Sequence, residues 1–296
     1  MSRPALPWTH LLLAIAVVAV WGTNFVVIRI GLDHLPPLTF AALRFTFALL
    51  PAALFVKRPD VPWRNLAAYG VLIGVGQFGL LFIAMRNDIS PGLASLVIQM
   101  QVFFTVGLAM RLRGEAVRGY QIVALVLAGA GLAWLMLHAG SESTPLGLGL
   151  VLLAALSWAG GNTVTRAAGP VNMLGYVVWA SLFSAPPLFA LAFMMESWPA
   201  IREGVVRADA VTWIVVAWQS VGNTLFGYGA WAWLLARHPA ATISPLALLV
   251  PVFGMGASAW WLGESLAGWK LAAAALVLSG LALNLLWPLR EARETG

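Results

Sequence analysis

The chain has 296 residues, of which 61% are hydrophobic and only 9% charged, and its mean hydropathy is +0.87. That leaves too little polar surface for a soluble globule of this length and no room for a separate soluble domain. A net charge of +6 would point to nucleic acid in a soluble protein, but here Arg and Lys fill short gaps between apolar runs and act as topology signals, while the absence of cysteine excludes disulfides and zinc-thiolate sites.

In chain order, the first apolar run extends from Trp8 past Trp21 to Ile30. That is too long for a cleavable signal peptide and predicts an uncleaved span. A spanning helix needs about 20 apolar residues to cross about 30 Å of hydrocarbon. Run length then predicts spans at 8–30, 37–56, 66–86, 92–110, 118–138, 147–167, 172–193, 211–235, 241–262 and 268–288. Breakers mark the joins: Pro36-Pro37, Arg58-Pro59-Asp60, Ser90-Pro91-Gly92, Gly140 to Pro145, Gly169-Pro170, His238-Pro239 and Gly263-Glu264. Every connection is short except the one around Glu196 to Asp209. Pro91 and Pro245 begin spans four and nine, where a first-turn proline is tolerated, whereas Pro51, Pro186, Pro187 and Pro251 lie deeper and predict kinks. His10, His34, His138 and His238 all fall near helix ends, so no metal site is expected.

Lys and Arg divide unequally between the two sides. Arg3, Lys57, Arg58, Arg64, Arg111, Arg113, Arg118, Arg166, Arg237, Arg290 and Arg293 share the side of the N-terminus, against Arg29, Arg86, Arg202, Arg207 and Lys270 on the other. Both termini are therefore expected in the cytoplasm. An internal repeat supports the same plan. Leu112-Arg113-Gly114-Glu115 followed by Gly119-Tyr120 matches Leu262-Gly263-Glu264 followed by Gly268-Trp269, and Gly131-Leu132-Ala133 matches Gly280-Leu281-Ala282. Trp21 with Asn24 pairs approximately with Trp158 and Asn162, one residue further apart. Five spans per copy force the second copy upside down. The expected fold is all-α and integral to the membrane, with ten transmembrane helices as two inverted five-helix repeats, 1–140 and 141–296.

Polar groups inside spans are costly in lipid and should face a cavity or a neighbouring helix. The candidates for substrate binding are Asn24, Gln77, Gln99, Gln101, Asn162, Gln219, Asn223 and Tyr228, with Trp21, Phe78, Phe82 and Trp158 as aromatic neighbours. Neutral amides can hold both a carboxylate and an ammonium, and aromatic walls suit a flat or bulky apolar side chain. Interhelical hydrogen bonds explain an isolated amide equally well. Trp8, Trp63, Trp198 and Trp287 fit lipid-facing belts. Arg44 is the one strong charge well inside a span, open to a substrate carboxylate, to snorkelling or to backbone carbonyls. Glu115 and Glu264, at matching helix ends, are expected to cap the next helix. Glycines at 70, 74, 76 and 79 in span three and at 222, 227 and 229 in span eight suit close packing or bending.

The doubled Gly-Glu step followed by a Gly-aromatic helix start, together with Trp21 to Asn24, resembles the EamA-type modules of the drug/metabolite transporter superfamily, from about Leu11 to Trp287. The resemblance implies a multi-pass exporter of metabolites or amino acids in a bacterial inner membrane, most similar to exporters of aromatic and other apolar amino acids. It also implies gating by spans three, four, eight and nine, which makes Gly79, Pro91, Gly227 and Pro245 the gating candidates. The expected partners are a small-molecule substrate and the bilayer, with the protein a monomer or weak homodimer and without a cofactor. The spans hold no acid to relay protons, so uncoupled export is the simplest reading, with a multidrug or nucleoside exporter, possibly proton-coupled, as the alternative. An embedded enzyme lacks support: there is no His-Glu-x-x-His, no Gly-x-Ser-x-Gly and no intramembrane Asp pair. Nor is there a charge ring or filter motif for a channel.

Overall fold

The computed structural model describes residues 6–113, 118–138, 140–238 and 243–294, which form helices and, among the described residues, no strand. The helices are α1 (Trp8–Leu32), α2 (Pro37–Leu49), α3 (Trp63–Asn87), α4 (Pro91–Leu112), α5 (Gly119–His138), α6 (Pro145–Ala168), α7 (Met173–Met195), α8 (Trp198–Val206), α9 (210–237), α10 (Leu249–Leu262) and α11 (Gly268–Glu294). Seven of the described helices are long and apolar enough to cross a membrane, and two shorter apolar ones lie at Leu246–Leu262 and Gly268–Asn284. The long connection after Glu196 is not a plain loop, because it folds into α8.

Sequence chemistry sets the helix ends. Pro37, Pro91 and Pro145 occupy first turns, where the missing N–H is not needed. Asn172 Oδ1 accepts the N–H groups of Leu174 and Gly175, and Asp209 Oδ1 accepts the N–H and hydroxyl of Thr212. Those two bonds hold the Asp209 carboxyl below its ordinary range. Gly169 and Gly263 end α6 and α10 at φ 76° and 66°, a region that a side chain disfavours. Pro186 and Pro187 do break span seven: α7 is interrupted by a 3₁₀ turn at Ser181–Phe183, and both prolines enter the first turn of its second half.

Small residues bring the helices together. A side chain at Gly131 on α5 would meet Val277 and the carbonyl of Ala273 on α11, and one at Gly280 on α11 would meet the carbonyl of Ala124. Gly131 and Gly280, which match in sequence, thus face each other's helices. Gly70 and Gly74 on α3 lie against Ala180 and Ser184 on α7, where the Ser184 hydroxyl donates to the Gly70 carbonyl at 2.8 Å. Trp8, Trp63 and Trp198 are largely exposed on the outside of the bundle, as a lipid-facing belt requires.

At one end of the bundle, His10 near the start of α1 meets His238 after α9 at 2.6 Å, and Asn65 at the start of α3 bonds the Val164 carbonyl of α6. Polar ties close the opposite end. Arg86 donates to the Leu35 carbonyl, and Glu196 accepts the N–H groups of Leu38 and Thr39 and the Thr39 hydroxyl. Glu264 does not cap the next helix as expected. Its carboxylate reaches across to the first turn of α4, taking the Ser90 hydroxyl at 2.6 Å and the Gly92 N–H at 3.1 Å, and binds Lys270 at 3.0 Å. Glu115 lies outside the described residues. Replacing Glu196 with alanine strands two α2 donors and is expected to destabilise the protein by about 1–2 kcal/mol, with Glu196→Gln clearly milder, as read from thermal unfolding in detergent.

Candidate functional site

A cavity of about 650 Å³ opens between α1, α3, α4, α6, α9, α10 and α11, and Met173 at the start of α7 also lines it. Helical spacing builds its walls: Trp21, Asn24, Phe25 and Ile28 share one face of α1, and Trp158, Asn162, Thr165 and Arg166 share one face of α6, with Gly169 just past its end. Gln77 and Phe78 project from α3, Gln99 and Gln101 from α4, and Asn223 and Tyr228 from α9. Ten of the twelve predicted binding residues are therefore brought together. The other two are not on the wall. Phe82 is fully buried, with its ring centroid 4.9 Å from that of Phe40 and 6.0 Å from that of Phe78, and Gln219 is fully buried behind Asn24.

Residues at the two ends of the lining show where the cavity opens. Arg166 and Gly169 are exposed and lie at the end of the bundle where α1 and α3 begin. The deep limit, at Ile28 and Leu81, sits below the end closed by Arg86, Glu196 and Glu264. The cavity is thus reached from one end of the bundle and shut at the other.

Inside it the polar groups are paired in specific ways. Asn162 Nδ2 donates to Gln101 Oε1 at 3.0 Å and to the Thr105 hydroxyl at 3.3 Å, linking α6 to α4. Gln219 Nε2 donates to Asn24 Oδ1 at 2.7 Å, linking α9 to α1. Gln77 is almost fully buried, and among the described residues its buried Oε1 has no hydrogen-bond partner. Trp21 donates to the Asn223 carbonyl at 3.4 Å and packs on the rings of Tyr228 and Trp231. Among the described lining residues there is no carboxylate, and Arg166 at the mouth is the one charged group.

Two stretches of π-helix shape the walls, Val71–Gly79 in α3 and Trp218–Phe226 in α9. Each adds a residue to the turn and re-aims the side chains that follow, a device concentrated at functional sites. Gly74, Gly76, Gly79 and Gly222 of the glycine clusters fall within them, and Gly70, Gly227 and Gly229 lie just outside. Three of the gating candidates lie outside the lining: Pro91 is buried in the first turn of α4, Gly79 lies against Leu188 and Leu38, and Gly227 is covered by the Trp21 indole; Pro245 belongs to the 3₁₀ turn Ser244–Leu248 before α10.

Sequence reasoning missed Tyr69, Thr105, Thr165, Arg166 and Trp231, all of which line the cavity. Arg166 counts among the topology charges in sequence, and its spacing of four from Asn162 and eight from Trp158 also places it on their helix face.

The EamA-like transporter family matches residues 8–137 and again 145–286. The chain belongs to that family. It is 38% identical over 279 residues to an Escherichia coli (strain K12) protein named "Probable amino-acid metabolite efflux pump", a match covering 92% of this chain and 93% of the relative. It is 26% identical over 287 residues, 90% of each chain, to the "Probable terminal-alkyne amino-acid exporter" of Streptantibioticus cattleyicolor. A solved crystal structure at 20% identity, with a TM-score of 0.63 over 95% of this chain and 98% of its own, shares the fold. The protein is a multi-pass membrane transporter of the EamA-like family.

Proposed function

We propose that this transporter exports amino acids with aromatic or other apolar side chains, or similar small metabolites, by alternating access and without ion coupling. The observation that carries this reading is the one-ended cavity, whose volume falls within the range of about 300–1,000 Å³ used by small-molecule sites and whose wall combines aromatic rings with neutral amides. Such a lining suits a zwitterion with an apolar side chain, with the amides of Asn24, Gln77, Gln99, Gln101 and Asn162 on its wall. The absence of a lining carboxylate among the described residues leaves no obvious proton relay and supports uncoupled export. The names of the relatives in Escherichia coli and Streptantibioticus cattleyicolor support amino-acid export, without specifying an aromatic or apolar side chain. The match to a transporter family over both halves of the chain supports transport rather than enzymatic chemistry as its role.

Two inverted five-helix repeats, 1–140 and 141–296, account for the double family match and for the matched helix contacts, in which α1 packs on α9 and α10 as α6 packs on α3 and α4. Arg and Lys bias places the open end in the cytoplasm of a bacterial inner membrane, with both termini there, so the cavity loads from inside the cell. The π-helical parts of α3 and α9, with α4 and α10, move to reverse access, the bends lying near Gly79, Pro91, Gly227 and Pro245. The protein works as a monomer or weak homodimer. Cells overproducing it and fed a phenylalanine-containing dipeptide should release phenylalanine faster than cells carrying Gln77→Ala or an empty vector. Equal release from all three would overturn the reading, and protection against a cationic drug alone would reassign the protein to drug export.

A further inference from the structure

Asn24, Gln219 and Arg44 form a chain of side chains running from the cavity wall into the packed interior. Gln219 Nε2 donates to Asn24 Oδ1 at 2.7 Å, and Arg44 Nη1 donates to Gln219 Oε1 at 3.1 Å. Asn24 lines the cavity, whereas Gln219 and Arg44 are wholly buried behind it. The second arm of Arg44 donates to the Thr224 hydroxyl at 3.1 Å, Thr224 donates to the Gln219 carbonyl at 2.8 Å, and the guanidinium lies 3.6 Å from the centroid of the Phe78 ring. Arg44 is fully buried and does not snorkel, and among the described residues its side chain bonds no backbone carbonyl and its Nε has no partner.

This chain has a direction. A guanidinium has only donors, so the end of Gln219 that meets it must be Oε1, which leaves Nε2 to face Asn24. Asn24 must then meet Gln219 with Oδ1, which leaves Nδ2 for the cavity. Two amides alone could pair in either sense, and a donor-only residue at the far end removes one of them. Among the described residues, Asn24 Nδ2 has no protein partner.

We infer that Arg44 is a positioning residue that, through Gln219, holds Asn24 as a hydrogen-bond donor to the cavity, and that the group received there is the substrate carboxylate. The inference rests on the amino-acid reading above and deepens it: a free carboxylate becomes the feature by which substrates are selected. The buried cation also lies behind this donor with no acid beside it among the described residues, so the local field favours an anion at the same place.

The test is counterflow of labelled phenylalanine and leucine into proteoliposomes of the full-length protein, with each amino acid and its amide as unlabelled competitors. Wild type should prefer the free acid to the amide by about 10- to 100-fold, the range expected when a charged hydrogen-bond partner is lost. Gln219→Glu keeps a partner for Arg44 but offers Asn24 only acceptors, so Asn24 turns over and presents Oδ1 to the cavity. In that variant the preference should fall to near one or reverse, whereas a purely structural role would weaken both competitors equally and leave the ratio unchanged. Arg44→Lys, still donor-only, should retain the wild-type preference. Equal competition by acid and amide in wild type would overturn the inference whether or not the variants fold, and so would a wild-type ratio in a well-folded Gln219→Glu protein. Failure of wild type to exchange any amino acid would instead remove the reading beneath it.

Discussion

Lys270→Met is expected to destabilise the folded transporter by about 3 kcal/mol or more, seen as a lowered unfolding midpoint in detergent. The lysine is 1% exposed at the start of α11 and binds both Glu264 and Glu142. Glu264 in turn carries the first turn of α4 through Ser90 and Gly92. Removing the cation leaves a carboxylate, itself only 10% exposed, facing another carboxylate with no counter-charge. Breaking one side of a buried pair is far more damaging than replacing the pair as a whole. Lys270→Met combined with Glu264→Gln should therefore recover much of the loss, a non-additivity that a double-mutant cycle measures directly. Because this cluster ties α4, α10 and α11 at the closed end, the single variant should also open that end more readily, raising labelling of a cysteine introduced at Ser90.

Gly22→Leu is the second large effect. A side chain at Gly22 would begin 2.5 Å from Phe253 Cβ and 2.6 Å from the Val250 carbonyl, with the backbone nitrogen of Gly254 at 3.0 Å. Two of these three atoms are backbone of α10, so no rotamer change relieves the clash. Overpacking of a close-packed contact costs about 1–3 kcal/mol, and here it separates two helices that both line the cavity. Transport should fall with stability. Gly256, on the same α10, faces open space within 4 Å, and Gly256→Ala should be neutral or slightly stabilising in the same unfolding assay. A comparable loss at both positions would mean that helix composition, not the α1–α10 contact, governs the effect.

The helical membrane fold could be read from the sequence because every span is bounded by proline, glycine or charge. The amide and aromatic wall could be read because Trp21 and Asn24, like Trp158 and Asn162, fall at helical spacing on one face. Helix rotation was less legible. In a membrane protein the lipid face and the packed face are both apolar, so Phe78 on the wall and Phe82 in the core look alike in sequence. Gln219 had the composition of a ligand-binding amide and sits one layer too deep. Arg44 had three open readings because its partners lie about 175 residues away, at Gln219 and Thr224. The same distance problem hid the Glu264 contact with α4, since local sequence offers only the adjacent helix to cap. The π-helical stretches were foreshadowed only by glycine clusters, which specify close approach without specifying the turn.

Solute counterflow with the purified protein tests the central claim most directly. Proteoliposomes preloaded in separate batches with phenylalanine, threonine, a nucleoside or a cationic drug would be followed for uptake of the matching labelled compound, with and without a pH gradient. Saturable exchange of the amino acids, strongest for phenylalanine, independent of the gradient and lost in Asn24→Ala, is the expected result. Exchange that requires the gradient, or that occurs only with the nucleoside or the drug, would contradict it.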